Sequence, residues 1–156
     1  MPSEPFDIEL EGDINVLARV ANALEDPRPL MQDIAEVIHS GVEGNVRRQE
    51  GPGGKPWKDL ATSTKNERRN AGYWPGQMLV RTGSMLSSLQ SFHTEDTAGV
   101  GTTKPQAALL HFGGEPSMPP GPADVPARPW VYISQDTETE IEVTALDYIE
   151  AAPDRT

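Results

Sequence analysis

Apolar and acidic residues alternate through Phe6-Asp-Ile-Glu-Leu-Glu11, which predicts a half-buried strand stopped by Gly12-Asp13. The period then lengthens. Leu17, Val20, Ala21 and Leu24 recur at helical spacing, with Asp13 in place to cap the first turn. Asp26-Pro27-Arg28-Pro29 breaks that helix and suits the start of another, since Asp caps and Pro tolerates a first turn. Leu30, Ile34, Val37, Ile38, Val42 and Val46 draw one apolar stripe along a long second helix. Gly41 interrupts the stripe at a cost of about 1 kcal/mol relative to Ala, which close approach by another backbone would explain. Arg47 and Arg48 stand where cations favour a helix C-terminus.

Glu50-Gly-Pro-Gly-Gly-Lys-Pro56 cannot continue a helix and predicts a turn. Trp57 and Leu60 then return the chain to the core. Thr64-Lys-Asn-Glu67 has the form of a capping box opening a short helix with almost no apolar face. Ala71-Gly-Tyr-Trp-Pro-Gly76 ends it. Residues 50–78 therefore read as a long excursion, and such excursions tend to be functional or mobile. Thr82 is placed to cap a short helix carrying Leu86 and Leu89. Ser88–His93 and Ala98–Gly101 pair as a hairpin around Glu95-Asp96-Thr97. Ala107–Phe112 is a short helix or bent strand. Prolines at 116, 119, 120, 122 and 126 make residues 115–126 an extended connector. Trp130-Val-Tyr-Ile133 predicts a strand. Thr137-Glu-Thr-Glu140 is a second capping box, opening a final helix with Ile141, Ala145, Leu146, Tyr148 and Ile149. The expected fold class is α+β. A small antiparallel sheet, built from the N-terminal strand, the hairpin and the 130–133 strand, is packed by the long second helix and the C-terminal helix, with a long basic loop. One domain over residues 1–156 is expected, with a mobile loop at about 50–78.

Composition narrows the function. Apolar residues make up 36% of the chain, so the core is modest and the loops are long. With no cysteine, disulfide frameworks and thiolate metal sites are excluded. No leader-like or membrane-spanning apolar run is present, and assembly in a host cytoplasm is expected. The net charge is −11, yet residues 47–81 carry eight cations against three anions, a local surplus of +5. The isolated segment reads most simply as a solvated basic loop. Alternatively, it docks on an acidic surface of another copy or another protein. Lys58, Lys65, Arg68, Arg69, Trp74 and Arg81 are the interface candidates in it. Arg128, between Ala127 and Pro129, is a further candidate. It either pairs with a carboxylate across an interface or makes an internal salt bridge that fixes the connector.

Catalytic patterns do not emerge. His39, His93 and His111 are the only histidines, and none forms a zinc-type pair. His39 lies beside the apolar stripe, where a partly buried, satisfied imidazole is expected. Ser63-Thr-Lys65 lacks the glycine lead of a phosphate loop, and a Gly-x-Ser-x-Gly elbow is absent. No cofactor, metal or enzymatic activity is expected. Basic and aromatic residues interleave from Arg47 to Arg81, as single-strand nucleic-acid binders require, which keeps a nucleic-acid-binding module as the alternative function. The acidic total argues against that alternative.

Five short motifs occur in a fixed order: Gly54 with Trp57; Leu79 with Thr82-Gly83 and Leu86; Val100-Gly-Thr102; Ala107-Ala108 with Phe112-Gly113; and Ala127-Arg-Pro-Trp130. Together they resemble the virion morphogenesis, or tail-completion, proteins of Mu- and P2-type tailed phages, over roughly residues 30–152. Gln106 departs from the tyrosine usual in that family. The resemblance implies a phage neck or tail-completion-like fold and a structural function: completing the tail or joining it to the head of a phage or prophage. It further implies a homo-oligomeric ring, a hexamer in the virion and a monomer or weak oligomer when free. Phage neck, connector and tail proteins would be its partners, at the head–tail junction or tail end. DNA would pass through without specific binding, and no membrane would be involved.

Overall fold

The computed structural model describes residues 14–114 and 125–152. The expected strand at residues 6–11, the cap at Asp13 and residues 115–124 of the connector lie outside the described residues. Helix α1 (Ile14–Glu25) is followed by the long α2 (Arg28–Arg48), which starts within the predicted Asp-Pro-Arg-Pro break. Pro27 occupies the cap position of α2, and the Asp26 carboxylate, one residue earlier, accepts from Arg28 Nε at 2.9 Å and from the Arg28 backbone N–H at 3.4 Å. The apolar stripe is the reason α2 forms and the reason it lies at the centre. Leu30, Ile38, Val42 and Val46 are buried, joined by Ala35.

Gln49 ends α2 in the left-handed conformation, its N–H reaching Asn45 O at 3.0 Å. The predicted turn is a tight hairpin, β1 (Glu50–Gly51) and β2 (Lys55–Pro56), paired Glu50 to Pro56 and Gly51 to Lys55. Helix α3 (Thr62–Asn70) begins two residues before the predicted capping box. Ala61 is its cap residue and makes no side-chain bond, so Thr64 is an interior residue. The short α4 (Ser84–Ser87) follows Gly83, with the Ser84 N–H donating to Thr82 Oγ1 at 3.3 Å. Strands β3 (Gln90–His93) and β4 (Ala98–Gly101) form the expected hairpin in antiparallel register, Gln90 opposite Gly101 and His93 opposite Ala98. Then come α5 (Pro105–Phe112) and α6 (Gln135–Ala151). Ser134 caps α6, its hydroxyl accepting from the Thr137 N–H at 3.2 Å, so this helix too starts ahead of its predicted box.

The architecture is α+β, with two small antiparallel sheets of two strands each among the described residues. Helix α2 packs against β3 and β4 on one side and α6 on another. Ile38, Val42 and Val46 of α2 meet Trp57, Leu79, Met85, Leu89, Ala107 and Trp130 in one core cluster. Gly41 is explained by α6: a Cβ there would sit 2.2 Å from Thr137 Oγ1 and 2.8 Å from its Cγ2. A side chain, not a backbone, makes the close approach.

The expected strand at 130–133 is absent. This segment runs without ladder partners and is held by side chains instead.

Candidate docking surface

Residues 125–132 form a strap that crosses the core end of α2. Trp130 is fully buried at its centre, and its indole N–H donates to Ala107 O at 3.2 Å. Asn45 is also fully buried, within the apolar stripe of α2. Its amide donates to Trp130 O at 3.0 Å and to Tyr132 O at 2.9 Å, while Arg48 donates back to its Oδ1 at 2.7 Å. Trp57 donates to Pro129 O at 3.0 Å, and Tyr132 donates to Glu50 O at 2.8 Å. The N–H groups of Trp130 and Val131 both point to His111 Nδ1, each at 3.3 Å. Asn45, Trp57 and His111 thereby satisfy five strap backbone groups, the carbonyls of Pro129, Trp130 and Tyr132 and the N–H groups of Trp130 and Val131, that a neighbouring strand would otherwise have taken. Of the run only Trp130 is buried and Tyr132 half-buried, while Val131 and Ile133 are exposed, and side chains replace the ladder.

Those two donors make His111 Nδ1 an acceptor, so the ring is neutral with its proton on Nε2. Burial lowers the pKa of His111 from the usual imidazole value, in the same sense. His39 is satisfied as expected, its Nε2 within 3.1 Å of Leu89 O. At Gly113, φ is +78°, and a Cβ would lie 2.8 Å from Ala127 N and 2.9 Å from Val125 O. The Phe112-Gly113 motif thus marks where the strap returns and pairs, Gly114 with Val125.

The strap also settles where Arg128 points. Arg128 is 4% exposed, with Nε donating to Lys58 O at 2.8 Å and an Nη to Asp59 O at 3.1 Å. Burial first, and then the charge of Arg68, lower its pKa from the ordinary guanidinium value. Of the two roles open to it from sequence, the internal one has its partners in place, although they are carbonyls and not a carboxylate. Arg128 anchors the root of the basic excursion and offers no free face to a neighbour.

The excursion itself is tied by its own residues. Lys65 pairs with Asp59 at 2.5 Å and lies 5.6 Å from the centre of the Trp74 ring. Arg81 pairs with Glu67 and sits 5.4 Å from the Tyr73 ring. Arg68 is half-buried and donates to Gln77 O at 3.2 Å; its pKa is lowered by burial and then by Arg81. Arg69 bonds only Asn66 Oδ1, at 2.9 Å, and is exposed, as is Lys58. Six of the seven candidates therefore gather around α3, but not equivalently. Lys65, Arg68, Trp74 and Arg81 combine local structure with positive charge; Lys58 and Arg69 face outward. Asn45 and His111 were not singled out as holders of the strap. A polar residue between Val42 and Val46 was a visible signal for Asn45, whereas nothing in the sequence connects His111 with Val131.

The arrangement offers a cationic surface on a structured loop and a core devoted to holding a strap. Among the described residues no cluster of three or more histidine, aspartate or glutamate side chains is placed to hold a metal, and no helix is long and apolar enough to cross a membrane. The sequence profile of the phage virion morphogenesis family matches residues 8–150. Protein G of Escherichia phage Mu, whose name gives capsid assembly as a provisional role, is 32% identical over 139 residues, covering 83% of this chain and 89% of that protein. The Mu-like prophage FluMu G protein 2 of Haemophilus influenzae is 31% identical over 137 residues, covering 87% of this chain and 88% of its own. No solved structure gives a significant match.

Proposed function

The chain belongs to the phage virion morphogenesis family, which gives it a role in virion assembly, and we propose that this role is to complete the tail or join it to the head, as one subunit of a ring of six. The observation that carries the reading is the family match across residues 8–150, beside which the Mu-like G proteins align over 83% and 87% of the chain. The basic surface supports it: an outward Lys58 and Arg69 on an acidic protein suit electrostatic docking to another component of the particle. The virion is then its final location, at the head–tail junction or tail end. In the free state the subunit is a monomer or weak oligomer.

The test is deletion of the gene from the phage or prophage that encodes it, followed by electron microscopy of the lysate. Filled heads and separate tails of normal form should accumulate, and purified protein should restore infectious particles in the extract. Malformed capsids, or normal joined particles, would overturn the joining role. A second reading, nucleic-acid binding, draws on the interleaved cations and aromatics of residues 47–81. In the structure Lys65 lies over one face of Trp74 and Arg81 over one face of Tyr73, while Tyr73 remains 42% exposed.

A further inference from the structure

Charge on this molecule is divided in space along α2. Near the N-terminal half of α2, Asp33 and Glu36 form one wall of a groove of about 520 Å³; Glu140 and Asp147 of α6 form the other. Val37, Thr144 and Tyr148, all half-buried, line it between them. None of the four carboxylates is in an ion pair with a described residue; Arg28, at the head of α2, is engaged by Asp26 at 2.9 Å. At the far end of the same helix Arg47 and Arg48 are exposed, and the basic excursion that carries Lys58 and Arg69 departs from there.

The separation decides what can neutralise the groove. Arg48 stands fifteen residues beyond Asp33 along the helix and Arg47 eleven beyond Glu36, about 22 and 16 Å of rise. Both exceed the screening length of about 8–10 Å at moderate salt. The cations at the C-terminal end of α2 therefore contribute little to the groove of their own chain. A second molecule can present the same cations at contact distance. We infer that the groove between α2 and α6 receives the basic excursion of a second copy of this chain, led by Lys58 and Arg69.

The contact is head to tail, because the two surfaces differ and sit at opposite ends of one helix. Such contacts between identical chains close into rings when the rotation allows and otherwise extend as filaments. Charged walls over the half-buried Val37 and Tyr148 match the layout of an interface, with a polar rim around a less polar centre. The inference rests on the assembly role proposed above and supplies the surfaces through which copies would meet.

The absence of cysteine makes a direct test possible. Glu36→Cys is introduced into one preparation of the full chain and Arg69→Cys into another. The two are mixed at low salt and treated with a short bismaleimide. Cross-linked pairs should form between the two variants in preference to pairs of the same variant, and the yield should fall when salt is raised to about 0.5 M. In parallel, sedimentation follows two charge reversals, Glu36→Lys with Asp147→Lys, and Lys58→Glu with Arg69→Glu. Each alone should lose self-association, and both carried on one chain should restore it. All four side chains are exposed, and melting curves check that each variant is folded. Cross-linking no greater between unlike than like variants would overturn the inference, as would self-association that survives either reversal. A deletion that leaves heads and tails unjoined, together with negative cross-linking, would keep the joining role and assign the groove to a different virion protein.

Discussion

Two tryptophans close the core, and a third does not. Trp57 is 6% exposed and Trp130 fully buried, each with its indole N–H bonded to a backbone carbonyl. Trp74 lies on the excursion under Lys65. Trp57→Ala or Trp130→Ala should each cost about 3–5 kcal/mol in chemical denaturation. Trp74→Ala should leave Tm nearly unchanged, and the opposite ranking would mean that the excursion, not the strap, holds the fold. His111 adds a pH dependence. Its folded pKa is lowered, so the unfolded chain binds more protons once the pH drops below the usual imidazole value of about 6.5. This contribution to stability is complete above that pH and is lost as pH falls through the depressed folded pKa. Protonation would place a third proton against the N–H groups of Trp130 and Val131. Tm measured from pH 7.5 to 5 should fall for the native chain, with a shallower slope in His111→Leu and a lower Tm for that variant at neutral pH. Equal slopes would remove the strap acceptor from the account.

At the scale of elements, α2 and α6 touch where glycine makes room. Gly41→Ala should lower Tm, because overpacking costs about 1–3 kcal/mol and three Thr137 atoms crowd the new methyl. The gain in helix propensity is about 1 kcal/mol and offsets only part of this. In a Thr137→Ala background the same substitution should cost much less, and a cycle of the four variants reads the coupling. If the cost is the same in both backgrounds, the contact at Gly41 is not what limits that position. The excursion 50–78 has its own helix and a set of local ties, but α3 contributes no buried residue to the core. We expect it to open before the rest of the chain in the free subunit, since few apolar contacts resist it. Limited proteolysis should cut first within residues 58–78. First cuts inside α2 or α6 would show instead that the excursion is as well held as the core.

For the whole molecule, the sign of the charge separates a conduit from a binder. With a net charge of −11, the chain should pass a DNA column at low salt without retention. Firm retention, released by salt, would favour the nucleic-acid reading over the structural one. The family assignment does not depend on that result, since it rests on the match across residues 8–150.

Periodicity alone placed α2, α6 and the β3–β4 hairpin within a few residues, because each is set by neighbours in the chain and by a single apolar face. It also singled out Trp57, Trp130 and Gly41, whose size or smallness is informative without a partner. The five ordered motifs identified the family for a related reason: turn glycines and aromatic anchors are local requirements. Helix starts were less legible. Both capping boxes lay inside their helices: Ala61 took the cap position of α3, and Ser134, whose hydroxyl accepts from the Thr137 N–H, took that of α6. The strap escaped sequence reading altogether. The apolar run Trp130-Val-Tyr-Ile133 shows neither that Trp130 alone of the four is fully buried nor what satisfies the backbone. That was decided by Asn45, Trp57 and His111, at 85, 72 and 19 residues' separation from their strap partners. The same holds for the candidate surface. The surplus of charge over residues 47–81 is written in the sequence. Arg128 turning inward while Lys58 and Arg69 face solvent is a consequence of the tertiary fold, since burial and direction arise only when distant segments pack together.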